Sequence, residues 1–190
     1  FLAHYFRDTY DQNMSKLPHI MSGVTITRCE VWVTNKRGNF EQARNIVAFM
    51  DLAEGQRIDN DHWNRYGVMQ PDNAANSLYD EVKALSGVRD IQMCNSILDA
   101  AYNMYDIYGG QDYEKIESAR RLESSEYTLN SQLGFISLRQ ALNNDEVLAV
   151  AFEYTYNGKT YQVGEFSTDG IDAPQALIVK LLKGTATSPQ

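Results

Sequence analysis

At 190 residues, 43% hydrophobic and 22% charged, the chain has the make-up of one globular domain with a real core, or of two small ones. A net charge of −8 argues against nucleic acid and anionic membrane surfaces as partners, and no apolar run reaches the length of a membrane helix. Two cysteines, Cys29 in a strand pattern and Cys94 in a helical one, make no disulfide framework and read as small buried hydrophobes.

Residues 1–17 predict a helix. Ala3, Phe6, Tyr10, Met14 and Leu17 recur at steps of three and four, and Pro18 stops the pattern. Phe1 opens directly in this stripe without signal-peptide character, as the start of an excised piece would. His4 and His19 have no acidic or cysteine partner at ligand spacing and read as surface or capping residues.

Residues 23–35 predict a strand. Val24 and Ile26 share one parity; Cys29, Val31 and Val33 share the other. The switch near Thr27 and Arg28 implies a bulge, or a strand buried on both faces. Trp32, on the more polar face with Arg28 and Glu30, is a candidate sugar platform, with packing as the plainer alternative. Residues 44–52 predict a second strand, apolar on both parities and therefore central. The two strands and their polar loop resemble half of a jelly-roll sandwich.

Residues 53–76 are turn-rich. Asp59 and Asp61 have the spacing that opens a calcium loop, but the glycine and distal glutamate of an EF-hand are missing, so a solvated loop is the expectation. Two helices follow. Leu78, Val82 and Leu85 form the first stripe, started by Ser77 and Asp80 and stopped by Gly87. Ile91, Cys94, Leu98, Ala101 and Tyr105 form the second, which ends at Gly109 and Gly110. With Met93, Met104 and Tyr108, this pair either covers a sheet face or presents a partner surface, for which Met104 and Tyr105 are the candidates.

Residues 112–169 predict the organising β-meander. Phe135 to Leu138 is a short strand, Val147 to Tyr156 a long one, and Tyr161 to Phe166 its return. Asn157-Gly158 between the last two is the signature of a type I′ hairpin. That turn sets Tyr156 opposite Lys159, Tyr154 opposite Tyr161 and Phe152 opposite Val163. Large side chains then share one face, and Ala149, Ala151, Thr155, Thr160, Gln162 and Gly164 share the other. Tyr154, Tyr156 and Tyr161 complete the candidate ligand or partner surface. Leu177 to Leu182 alternates like a strand but also fits a short helix, and the sheet context favours the strand; residues 185–190 have a linker's composition.

The whole reads as an α+β fold, mainly antiparallel and sandwich-like, with an N-terminal helix and a helical pair. Residues 1–184 form one unit, with 57–111 as a helical insertion. The reason is burial: an apolar strand at 46–52 needs cover on two faces, and no half of the chain alone supplies it. The sequence holds no GxSxG, P-loop, dinucleotide fingerprint, HExxH or CxxC, and no pair among its many carboxylates stands out, so neither catalysis nor a cofactor is expected.

The segments FLAHYFRD, TITRCEVWVTNK, RNIVAFMDLAEG, DYEKIESARRL, SEYTLNSQLGFISL, DEVLAVAFEYTYNGKTYQVGEFSTD and LIVKLLKGT resemble, in order, the SprA/Sov family. Those are very large outer-membrane proteins of the Bacteroidetes type IX secretion system, linked also to gliding motility. The likeness covers most of residues 1–56 and 112–184 and is less specific between Gln56 and Gly110. It implies a barrel-borne translocon for folded cargo, whose large non-barrel domains face the periplasm, the lumen or the cell exterior. This chain lacks the alternating strand series of a membrane barrel and would be such a domain, without catalytic residues. Its partners would be other parts of the same protein, secretion subunits and secreted cargo. The alternative from the residues alone is a carbohydrate-binding β-sandwich module, resting on Trp32, the tyrosine hairpin and the loop at Asp59 and Asp61.

Overall fold

The computed structural model describes residues 1–4, 6–7, 23–54, 61–63, 70–105 and 107–185. It is a mixed, mostly β fold. The strands are β1 (Val24–Val33), β2 (Arg44–Phe49), β3 (Tyr113–Arg121), β4 (Tyr127–Asn130), β5 (Phe135–Leu138), β6 (Leu148–Tyr156), β7 (Lys159–Val163) and β8 (Leu177–Lys183). Among the described residues, the α-helices with both ends described are α1 (Leu78–Lys83) and α2 (Cys94–Tyr102). Of the N-terminal helix expected over 1–17, helical backbone is described at His4, Phe6 and Arg7; Tyr10, Met14 and Leu17 lie outside the described residues.

The expected sandwich is instead a closed barrel. Strands run in the order β1-β3-β2-β8-β6, and β6 pairs back onto β1 along its whole length. Five strands cannot alternate in direction all the way around a ring, so one neighbouring pair must be parallel. That pair is β2 and β8, with Ile46 opposite Leu177 and Ala48 opposite Val179. β1 and β2, consecutive in the chain, are separated in the sheet by β3. The strands of 23–52 and those of 113–183 thus interleave around one ring.

Alternation divides each strand between lumen and outer face. The lumen is filled by Trp32, Ile46, Ala48, Ile116, Ala119, Ala149, Ala151, Leu177, Val179 and Leu181, with Phe166 closing one end. Trp32 stands opposite Ala149, so the largest side chain meets one of the smallest. The small face of the β6–β7 hairpin, Ala149 and Ala151, is what makes room. Outside, Val47, Phe49, Val150, Phe152, Tyr154 and Ile178 pack with Leu2, Phe6, Leu78, Val82, Leu98 and Tyr102 in a second, larger core. The two-sided apolar character of 46–52 is accounted for by these two layers.

The hairpin has the predicted register throughout. Asn157 and Gly158 have φ of 50° and 75°, the two positive values that a type I′ turn requires. The register of β1 against β6 shifts between Ile26 and Arg28, where the parity of the sequence switches. β5 departs from the expected meander: it pairs with β4 in a separate two-stranded ribbon, in the register Tyr127 opposite Leu138. Leu177 to Lys183 is a strand, as its alternation indicates.

Candidate functional site

Three of the six candidate surface residues lie on the outer face of the β6–β7 hairpin. Tyr154 is fully buried; its hydroxyl donates to the Pro71 carbonyl at 2.8 Å, and its ring stacks on Tyr161 at 5.2 Å and meets Phe6 edge-on at 5.1 Å. Tyr156 and Tyr161 are half-buried. Trp32 is also fully buried, in the barrel lumen. Both Trp32 and Tyr154 must therefore be withdrawn as ligand surface. Trp32 does share a face with Arg28 and Glu30, but that face turns inward, and the charges emerge at the barrel mouth. There Glu30 accepts from the Ser167 N–H at 2.7 Å, the Ser167 hydroxyl at 2.6 Å and Arg121 at 3.0 Å. Arg28 lies over the Phe166 ring at 4.0 Å.

Met104 and Tyr105 stand on a short 3-10 turn that follows α2, and they are exposed, with Tyr108 beside them. Met104 is 83% accessible and Tyr108 56%, high values for side chains of this size. Tyr105 is held from beneath by the imidazole of His62, stacked at 3.8 Å. His62 bonds Glu81 at 2.9 Å, and the Ser77 hydroxyl donates to the other Glu81 oxygen at 2.6 Å. Serine, carboxylate and histidine are linked here in the wrong order for nucleophilic catalysis, since the hydroxyl meets the carboxylate and not the imidazole. The chain of contacts instead fixes the support beneath Tyr105. Ser77 precedes α1 without a side-chain cap bond, so the predicted capping box with Asp80 is replaced by this bond to Glu81.

Buried ion pairs bind the covering layer to the barrel. Glu165 is 2% exposed and takes both Arg89 guanidinium nitrogens at 2.7 Å, the Tyr79 hydroxyl at 2.8 Å and the Ile178 N–H at 2.7 Å. Burial, reinforced by the hydrogen bond to Glu165, pushes the Tyr79 hydroxyl well above its ordinary range. Lys180 and Glu54 pair at 2.9 Å, and the same ammonium donates to the Met50 and Leu52 carbonyls. Burial works against the Glu54 charge, but Lys180 and His4 outweigh it and hold the carboxyl at about 2. Every one of these groups is spent on a partner within the fold.

A cavity of about 240 Å³ opens where the barrel end meets the ribbon, floored by Val33, Leu122, Leu138 and Leu142. Lys36, Arg37 and Arg120 stand on its wall with Glu126 and Glu146. Burial acts against the Glu126 charge, yet the Glu123 N–H, Arg120 and Arg37 hold its carboxyl below the ordinary range. The sequence gives little sign of this cavity, because its lining is drawn from three separated stretches, 33–37, 120–126 and 138–146.

Among the described residues no cluster of histidine, cysteine and carboxylate could hold a metal, and Cys29 and Cys94 are unbonded thiols. The calcium reading of Asp59 lies outside the described residues. No helix among the described residues is long and apolar enough to cross a membrane. No family model matches the chain, and no curated protein matches it significantly.

Proposed function

We propose that this chain is a non-catalytic structural and interaction domain of a large outer-membrane type IX secretion translocon of the SprA/Sov kind, serving protein export and gliding motility. The observation that carries the reading is a coincidence of two maps. Apart from FLAHYFRD at the N-terminus, the segments that resemble the family are the strands of the barrel and the ribbon: TITRCEVWVTNK is β1, RNIVAFMDLAEG holds β2, DYEKIESARRL is β3, and the hairpin segment is β6 and β7. The stretch of weaker resemblance holds α1, α2 and the exposed Met104, Tyr105 and Tyr108. A packed scaffold thus carries an apolar contact surface on its insertion. Conduction would belong to the translocon's own membrane barrel, because the lumen of the five-stranded one is filled.

In this reading the domain lies on the periplasmic, lumenal or extracellular side of the outer membrane and contacts other parts of its parent protein, secretion subunits or cargo. The carbohydrate alternative loses its main support, since the Trp32 and Tyr154 rings are buried. The test is Met104→Glu with Tyr108→Glu in the full-length protein. Both side chains are exposed, so protein level should hold, while export of a folded cargo should fall at least several-fold. Unchanged export, with an unchanged set of co-purifying subunits, would overturn the proposal, as would a reading frame encoding an ordinary hydrolase around these codons.

A further inference from the structure

We propose that the outer edge of β5 and the adjoining cavity form a receptor for an extended peptide strand that carries an apolar side chain next to a carboxylate. The inference is independent of the translocon reading.

The edge comes first. The Arg139 N–H donates to the Glu126 carbonyl at 3.0 Å, one step beyond the pair Tyr127 and Leu138. In an antiparallel ladder hydrogen-bonded and non-bonded pairs alternate. Thr128 with Ser137 and Asn130 with Phe135 are therefore the bonded pairs. The N–H and C=O groups of Ile136 and Leu138 point away from β4. No backbone group among the described residues pairs with them. Folded proteins guard such edges with charge, proline or a bulge. Phe135-Ile136-Ser137-Leu138 has none of the three.

The cavity supplies specificity. Leu138 belongs both to this edge and to the cavity floor, so a strand added to β5 runs toward the cavity. Its volume of about 240 Å³ accepts one or two apolar side chains. On the wall, Arg120 is committed to Glu126 by two bonds of 2.8 and 2.9 Å. Arg37 is 58% exposed and, among the described residues, has one longer contact of 3.3 Å to the same carboxylate. Lys36 stands beside it, on Asp145 at 2.7 Å. Arg37 is thus the cation placed to meet a carboxylate on the incoming chain. Main-chain pairing with alternate side chains read by a pocket is the usual form of strand addition.

The probe is a capped hexapeptide of alternating threonine and valine that ends in leucine and aspartate, titrated into the full chain. Amide exchange at Ile136 and Leu138 should slow at least tenfold at saturation. A probe N-methylated on alternate residues should bind at least tenfold more weakly, and so should one with lysine for aspartate. Ile136→Pro removes an outward N–H without touching the β4 pairing, and should cut affinity by a similar factor; should that variant not fold, the N-methylated probe asks the same question. Arg37→Glu should abolish the preference for aspartate over lysine. Unchanged exchange at Ile136 and Leu138 with millimolar probe, or equal affinity of the N-methylated peptide, overturns the proposal.

Discussion

Individual side chains carry cost in two different ways in this molecule. Gly158 has φ of 75° with open space where a Cβ would stand, so a substitution there strains only the backbone. Gly158→Val should cost about 1–3 kcal/mol, read as a lowered urea midpoint with unchanged slope. Gly134 has a similar φ of 76°, but a Cβ would lie 2.5 Å from Phe6 Cγ. Gly134→Ala should therefore exceed Gly158→Ala in the same titration. Charge obeys a different rule. The Glu54 carboxyl is held at about 2, from an ordinary 4.5. A depressed carboxylate adds stability above its unfolded value and loses it as pH falls through the folded one. Stability should thus decline between pH 4.5 and 2 by up to about 3 kcal/mol from this group. Glu54→Gln should flatten that part of the profile. Lys180→Met alone should cost about 3–5 kcal/mol by stranding the carboxylate, and pairing it with Glu54→Leu should restore much of the loss.

Elements were legible where the cue was local. The hairpin register follows from Asn157-Gly158, and the bulge in β1 from a change of parity at Thr27. β3 lies within the expected β-meander of 112–169, but nothing marks it as a separate strand, because its sequence, YEKIESARR, shows no clean alternation. Ile116 and Ala119 both face the lumen across three positions, since Ser118 takes a positive φ of 52° and resets the parity. Trp32 follows the plainer of its two readings, packing, and only its face looked polar from the sequence. Its charged neighbours Arg28 and Glu30 mark a barrel mouth, where inward side chains reach partners in the 166–175 loop, and not a solvent face. The parallel pairing of β2 with β8 had no cue at all, since it joins stretches about 130 residues apart. The exposed Met104 and Tyr105 were legible as candidates from composition, whereas the β5 edge and its cavity required the topology. The lumen makes a sharp prediction at this scale. Trp32→Ala should cost about 3–5 kcal/mol without changing any surface property. Ala149→Leu, which fills the place the indole needs, should cost about 1–3 kcal/mol by overpacking. Both are read from denaturant unfolding.

Across the whole molecule, closure makes distant stretches depend on one another. β6 has β1 along one edge, and β2 lies between β3 and β8. Cutting the chain before residue 112 removes β1 and β2 together. The remaining strands then have four open edges where the ring had none, both of β3, one of β8 and one of β6, and the lumen loses Trp32, Ile46 and Ala48. The outer core also loses Val47, Phe49, Leu78 and Leu98, which leaves Phe152 and Tyr154 uncovered. Open edges beside an exposed apolar face favour association over folding. A fragment of residues 112–190 should therefore show no cooperative melt and should aggregate at concentrations where the full chain stays dispersed. Adding a second fragment of residues 1–111 supplies β1, β2 and both helices, and should restore a cooperative transition whose midpoint rises with concentration, as for any bimolecular fold. A cooperative melt of 112–190 alone, with dispersed amide resonances, would mean that β6, β7 and β8 hold together without the ring, and that the closing pair of β1 with β6 adds little to the stability of the whole.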